Sequence, residues 1–270
     1  MIVTADDFGS SAEVNKAVVA AYQDGVLRYA SLMVLRPHAQ DAVLMARENP
    51  GLGVGLHLEM CGEKPALWGL RYYFDPRHRR QIAGRIRAQI EKFLSFGLKP
   101  THIDGHFHLH VHPAIFPILA DLAREYRIPR TRLPAGEFGI WLRRSPIHRR
   151  LAGSASRGAL AGTFAALKTV LERNAKGLVV PERTFGLLRS GLMDEEYVLF
   201  LLSNLPEGLT EIYFHPSASA RDRAKDSGAA PAPSHRSYAE LAALTSPRVR
   251  KFLEEARIAL VAEEKQAPSS

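Results

Sequence analysis

The stretch THIDGHFHLHVHP, residues 101–113, sets His102, Asp104, His106, His108, His110 and His112 on six successive even-numbered positions. Alternate side chains of a strand share a face, so all six would point one way if the chain stayed extended. Extended, the stretch would reach roughly 40 Å, whereas a metal gathers its ligands within about 2–2.5 Å. The spacing therefore predicts a strand that ends near Asp104 and Gly105, with the histidines beyond it on a turning loop. Pro113 then suits the first position of a helix, PAIFPILADLAREY. Strand, histidine loop and helix together form one α/β unit, with the loop carrying the chemistry.

The same alternation runs outward in both directions. MIVTADDFG reads as a short strand, 2–5, entering a loop; Ser10 or Ser11 can cap the helix AEVNKAVVAAYQDG. ASLMVL is a second strand and AQDAVLMARENPG an amphipathic helix, followed by GVGLHLEM as a third strand. An irregular stretch, 62–80, precedes a helix over about 79–96. RTRLP is a possible strand, DEEYVLFLLSNLP a helix, TEIYFHP a strand, and SYAELAALTSPRVRKFLEEARIAL helical. Strands alternating with helices imply a parallel sheet with crossovers. Polar residues recur at strand ends (Asp6–Asp7, His57–Glu59, Asp104–His106, His215), and barrels place their chemistry there. The expected fold is a single-domain α/β chain over 1–270: an irregular or incomplete (β/α) barrel, TIM-barrel-like, of six or seven strands. A basic helical insertion is expected over about 138–178 and a mobile loop over about 217–237.

Composition sets the outer limits. The 270 residues are 46% hydrophobic and 24% charged, an ordinary globular balance. A single cysteine, Cys61, leaves no internal disulfide framework and suits a reducing compartment. Cys61 reads as a small buried side chain and not a nucleophile. No apolar run is long enough to span a bilayer and no leader precedes the first strand, so the expected location is cytoplasmic. The net charge of +8 is concentrated in 141–178, where Arg143, Arg144, Arg149, Arg150, Arg157, Lys168, Arg173 and Lys176 face Glu172 alone. Such a face serves nucleic acid, an anionic membrane surface, or merely water.

Asp6 and Asp7 are sequence neighbours, so both reach one pocket only if the chain turns there. Paired carboxylates suit one cation ligand and one free base, and they also serve as helix caps and turns. His57 lies in a strand that is apolar on both faces, which is compatible with a core histidine; Glu59 reads as a rim residue or salt-bridge partner. The five histidines of the loop are the sharper signal. A catalytic divalent site takes about three protein ligands and keeps open positions, so the others contact substrate or orient the ligands. His215 ends a strand and suits a general acid, or a cap before Pro216. Arg132 could pair with a free carboxylate, although from sequence alone it reads as a surface residue.

TADDFG, SLMVL, GVGLHLE and KPTHIDGHFHLHVHP, in that order, resemble the YdjC-type carbohydrate deacetylases, relatives of chitooligosaccharide deacetylase, strongly over 1–135 and plausibly again at EIYFHP. The resemblance implies an irregular (β/α) barrel, one divalent metal and removal of N-acetyl groups from sugars. It further implies Asp7, His57 and His106 as metal ligands, Asp6 as base and His215 as acid. His102, Asp104, His108, His110 and Arg132 would bind substrate or form the outer layer. One carboxylate with two imidazoles suits Zn²⁺, Mn²⁺, Co²⁺ or Fe²⁺, and the family includes Mg²⁺ members. The small-residue-rich basic segment is similar to that of the hopanoid-biosynthesis branch. That branch implies an N-acetylglucosaminyl hopanoid as substrate, with 141–178 on the inner face of an anionic membrane and no role for nucleic acid. Alternatives are a deacetylase of soluble oligosaccharides such as chitobiose, a phosphoesterase or amidohydrolase, and a non-catalytic binding protein. The family pattern has a longer first strand with Asn where Thr4 stands; here only Met1 to Ala5 precede Asp6, so the first strand is expected to be short, and Met1 need not be the true start.

Overall fold

The computed structural model describes residues 1–62, 64–137, 139, 155–218 and 235–262. The chain runs β1 (Ile2–Phe8), α1 (Ala12–Gln23), β2 (Tyr29–Leu32), α2 (Ala39–Glu48), β3 (Gly53–Leu58), α3 (Pro65–Phe74), α4 (Pro76–Ser95) and β4 (Ile103–Gly105). A 3-10 turn (His106–Val111) leads to α5 (Phe116–Glu125), α6 (Ala155–Asn174), β5 (Arg183–Phe185), α7 (Glu195–Ser203), β6 (Thr210–Phe214), α8 (His235–Leu244) and α9 (Pro247–Glu255).

All neighbours in the six-stranded sheet are parallel, in the order β4-β3-β2-β1-β6-β5. The strands are buried on both faces, as parallel sheets covered by crossover helices must be. Between the outer strands β4 and β5 the ring is carried by isolated parallel bridges: Ile103 to Thr131, Arg130 to Val179, and Gly136 to Thr184. This is the expected incomplete barrel, with residues 130–136 supplying a ragged seventh position. RTRLP thus contributes bridge residues only, with no strand of its own.

Helix starts follow their capping chemistry. Of the two candidate serines, Ser11 caps α1 by accepting from the Val14 amide, with Glu13 in the first turn. Asp75 caps α4 through the Arg77 amide. Several elements differ from the expectation. The helix after the histidine loop opens at Phe116, with Pro117 in its first turn, and Pro113 belongs to the turn before it. The stretch 62–80 contains a helix, α3, that sequence periodicity missed, and the C-terminal helical stretch is broken in two before Pro247. The predicted mobile loop lies mostly outside the described residues, as does the first half of the basic insertion; its second half is α6.

The first strand extends beyond the expected 2–5. It runs seven residues, through Asp6 and Asp7. Opposite β2 its register shifts: Ala5 pairs with Ala30, but Phe8 pairs with Leu32. One extra residue on β1 makes a bulge at the aspartates, and Asp7 takes a left-handed φ of 63° to form it. Bulges re-aim side chains, which is how two adjacent carboxylates come to face one site.

Candidate active site

The histidine loop distributes its imidazoles instead of stacking them. β4 ends at Gly105, and Phe107 and His108 both adopt φ 54°, a left-handed conformation costing about 1–3 kcal/mol for such residues. The chain therefore turns sharply between His106 and His110. His106 turns to β1, with Nδ1 3.0 Å from Asp7 Oδ1. His108 Nε2 lies 2.8 Å from the Tyr213 hydroxyl on β6. His110 hydrogen-bonds through Nε2 to the Arg132 carbonyl, 2.9 Å. His112 accepts from the Ala114 amide and packs edge-on against Tyr73 of α3. His102, just before β4, lies beneath the site, where its Nε2 meets Ser31 Oγ at 3.0 Å. Gly55 is required beside it, since a Cβ there would fall 2.4 Å from the His102 ring.

Two groups of potential ligands share His57. Asp7, His57 and His106 have donor atoms within 4.8 Å of one another, as do Asp6, His57 and Asp104. Their surroundings separate them. Arg132, only 2% exposed, donates to both Asp6 oxygens (2.7 and 2.9 Å) and lies 2.9 Å from Asp104 Oδ2 and from Glu211 Oε1. Its guanidinium also sits over the Tyr213 ring. Ser31 donates to Asp104 at 2.8 Å, and Thr4 to Glu211 at 2.8 Å. A cation among Asp6 and Asp104 would therefore meet an arginine already in place. Asp7 faces imidazoles: His106, and His57 Nε2 at 3.5 Å. One carboxylate with two imidazoles, partly open on the His106 side, fits a divalent cation with room for water and substrate.

The electrostatics agree with that division. Burial alone would lower the pKa of His57, but Asp104 at 2.7 Å from Nδ1, with Asp6 behind it, holds the imidazole well above its ordinary value. The site thus draws positive charge to the His57 position. The Asp104–His57 contact has the form of the carboxylate–histidine pairs that orient imidazoles toward a cation, and it leaves Nε2 directed at Asp7. Burial would raise Asp104, yet Arg132 and His57 keep it well below the usual carboxylate range. For Asp6 burial prevails and raises its pKa, with Arg132 opposing and Asp104 adding to the rise. His215 follows β6 with Nε2 3.9 Å from Asp6 Oδ2 and Nδ1 3.4 Å from Ser190 Oγ; its backbone amide donates to Glu240.

Asp6, Asp7, His57, Asp104, His106, Arg132 and His215 thus converge at the C-terminal edge of the sheet. His108 and His110 line the next layer, and His102 reaches the cluster through Ser31. Arg132 corrects its surface reading, being among the largest fully buried side chains. Glu59 is buried and pairs with Arg36 at 2.7 Å, the salt-bridge reading and not the rim one. Sequence reasoning missed Ser31, Glu211 and Tyr213. The last two were findable, since Glu211, Tyr213 and His215 share strand parity in TEIYFHP. Glu137 was also missed: buried, it accepts from the Tyr197 hydroxyl and the Gly186 and Leu188 amides, and burial raises its pKa.

Comparison with known proteins agrees with this architecture. A protein of Geobacillus stearothermophilus named carbohydrate deacetylase is 43% identical over 140 residues, 47% of this chain and 57% of the relative. One of Vibrio parahaemolyticus with the same name is 36% identical over 143 residues, 48% and 57% of the two chains. The match therefore spans little more than half the length of these relatives. A crystal structure from Enterococcus faecalis V583, of a protein named for cellobiose-phosphate cleavage, superposes with a TM-score of 0.68 over 96% of this chain and 95% of that one, at 21% identity. That likeness is one of fold. The family model described as YdjC-like protein matches residues 1–255, and the chain belongs to that family.

Proposed function

We propose that this chain is a metal-dependent hydrolase that removes the acetyl group from an N-acetylated sugar. The observation that carries the reading is the Asp7–His57–His106 donor set lying beside Asp6 and His215. The relatives named carbohydrate deacetylase support the reaction class. A divalent cation held by Asp7, His57 and His106 would polarise the acetyl carbonyl and make water a stronger acid.

The remaining work falls to the protein's own groups. Asp6 takes the proton of the attacking water; its raised pKa gives it more basicity than an exposed aspartate, and Arg132 fixes its orientation. As the C–N bond breaks, His215 gives a proton to the departing nitrogen, so that the products are acetate and a free amine. Asp104 holds the His57 ring, and Ser31 and Arg132 hold Asp104. The order of carboxylates also separates this reading from phosphoesterase and amidohydrolase barrels, which put a His-x-His pair on the first strand where this chain has Asp6–Asp7.

The substrate we propose is the N-acetylglucosaminyl headgroup of a hopanoid lipid, handled at the cytoplasmic membrane face with 141–178 toward anionic headgroups. Its support is the basic composition of that segment, since each lysine or arginine close to such a surface contributes about 1 kcal/mol. Among the described residues no helix is long and apolar enough to cross a membrane. The test is acetate release by the metal-loaded protein from that glycolipid and from soluble chitobiose. Release abolished by chelator and by Asp7→Asn is expected. Release from neither substrate would overturn the reaction, and release from chitobiose alone would overturn the lipid.

A further inference from the structure

Helix α3 turns its apolar side the wrong way. Trp68 and Tyr72 face inward: Tyr72 is fully buried and donates to the Met60 carbonyl at 2.6 Å, and Trp68 lies beneath the guanidinium groups of Arg71 and Arg85. The outer face, at positions i, i+3, i+4 and i+7, is Leu67, Leu70, Arg71 and Phe74. Leu67 is 43% exposed, Leu70 56% and Phe74 80%, the largest value among the exposed large hydrophobics of the described residues, with Tyr73 beside them at 49%. A helix this short that serves only the core would reverse that pattern.

The position of α3 is as informative as its composition. It is the first element after β3, which carries His57, and its Tyr73 and Gly69 pack against His112 of the loop that carries His106. It therefore packs against the far end of the loop that carries His106. Phe107, 45% exposed, adds an apolar ring beside His106 on the same loop. The sequence around this helix is basic: residues 63–80 carry Lys64, Arg71, Arg77, Arg79 and Arg80 against Glu63 and Asp75, and the four arginines are exposed. Asp75 is itself engaged by the Arg77 amide and His78 Nδ1. Two copies of so basic a face would repel each other, which argues against self-association. Apolar side chains rimmed by arginine match an anionic bilayer, with the apolar groups at the acyl boundary and the cations among the headgroups.

We infer that the outer face of α3, with Leu67, Leu70 and Phe74 inserted and Arg71, Arg77, Arg79 and Arg80 around them, docks the protein on an anionic lipid bilayer with the far end of the histidine loop beside it. The choice of a lipid-borne substrate rests on the proposed function; the contact itself rests on α3. A surface of this kind would let a membrane-held sugar enter the site without leaving its bilayer.

The experiment is co-sedimentation of the full chain with vesicles of phosphatidylcholine and phosphatidylglycerol, set beside acetate release from soluble chitobiose. Wild type should bind, Leu70→Ser/Phe74→Ser should bind at least tenfold more weakly, and release from chitobiose by the variant should match wild type. Release from vesicle-embedded glycolipid should then fall at least tenfold. Three results would overturn the inference: wild type that does not bind, binding untouched by the variant but lost on neutralising Arg143, Arg144, Arg149 and Arg150, or a dimer that the variant dissociates. Vesicle binding lost in the variant, with no acetate released from any sugar by wild type, would uphold the docking face and overturn the deacetylase reading alone.

Discussion

Two arginine–carboxylate pairs in this molecule have almost the same geometry and opposite settings. Arg132 meets Asp6 through two bonds of 2.7 and 2.9 Å inside the barrel; Arg87 meets Glu125 through two of 2.6 and 3.0 Å on the surface of α4 and α5. The inner pair is 2% exposed on each side, whereas the outer is 41% and 52% exposed. Geometry is therefore not what distinguishes them. The outer pair trades one hydrated state for another. The inner arginine has lost its water and is shared by three carboxylates, Asp6, Asp104 and Glu211. The surplus negative charge accounts for the raised pKa of His57, and it makes a cation welcome next door.

The largest effect should follow Arg132→Met. Removing it strands three buried carboxylates, and breaking such pairs costs about 3–5 kcal/mol. Urea unfolding should show that loss, with Arg132→Lys recovering only part of it, because an ammonium cannot replace the forked donor.

His110 comes next, through pH. Burial holds this imidazole at about 4 in the folded protein, against an ordinary value of 6.5. The folded pKa is depressed, so the neutral ring stabilises the fold fully above 6.5, and that contribution disappears as the pH falls toward 4. It amounts to about 3 kcal/mol. His110→Gln keeps a donor for the Arg132 carbonyl, and its unfolding midpoint should fall less steeply across that window than that of wild type.

Asp104→Asn leaves the shape and removes the charge that orients His57. Outer-layer carboxylates of this kind are worth 10–100-fold in metal affinity, about 1.4–2.8 kcal/mol. Titration calorimetry with Zn²⁺ checks it, and unchanged affinity would separate the Arg132 network from the metal site. The smallest effect belongs to Arg87→Ala, whose thermal midpoint should coincide with wild type. A marked drop there would mean that pair geometry matters more than burial.

Much of the site was legible because strand periodicity is strict. His57, Asp104 and His215 sit at strand ends, and a polar residue closing an apolar strand has few places to go but the catalytic edge. The impossibility of six ligands on one extended face forced the turn after Gly105, and that turn is present. What could not be read depends on pairing or burial. The bulge that brings Asp6 and Asp7 together lies in the register between β1 and β2, which β1 alone does not specify. Arg132 reads as a surface residue because arginine nearly always is one, and only the convergence of four chain segments buries it. Helix α3 escaped notice because its apolar residues surround the axis, leaving no single hydrophobic stripe to announce it.

The ring of strands has a seam. The chain departs it at Gly136 and returns at Val179, and among the described residues isolated bridges hold the wall there, whereas β1 to β4 and β6 are stitched by ladders. Each bridge is fixed by few hydrogen bonds and each ladder by many, so local opening is expected to begin at the seam and to leave the β1–β4 ladders intact. The site straddles that seam: Asp6, His57 and Asp104 precede it in the chain, Arg132 lies at it and His215 follows it. The cluster is therefore complete only when the two parts of the chain are closed on each other.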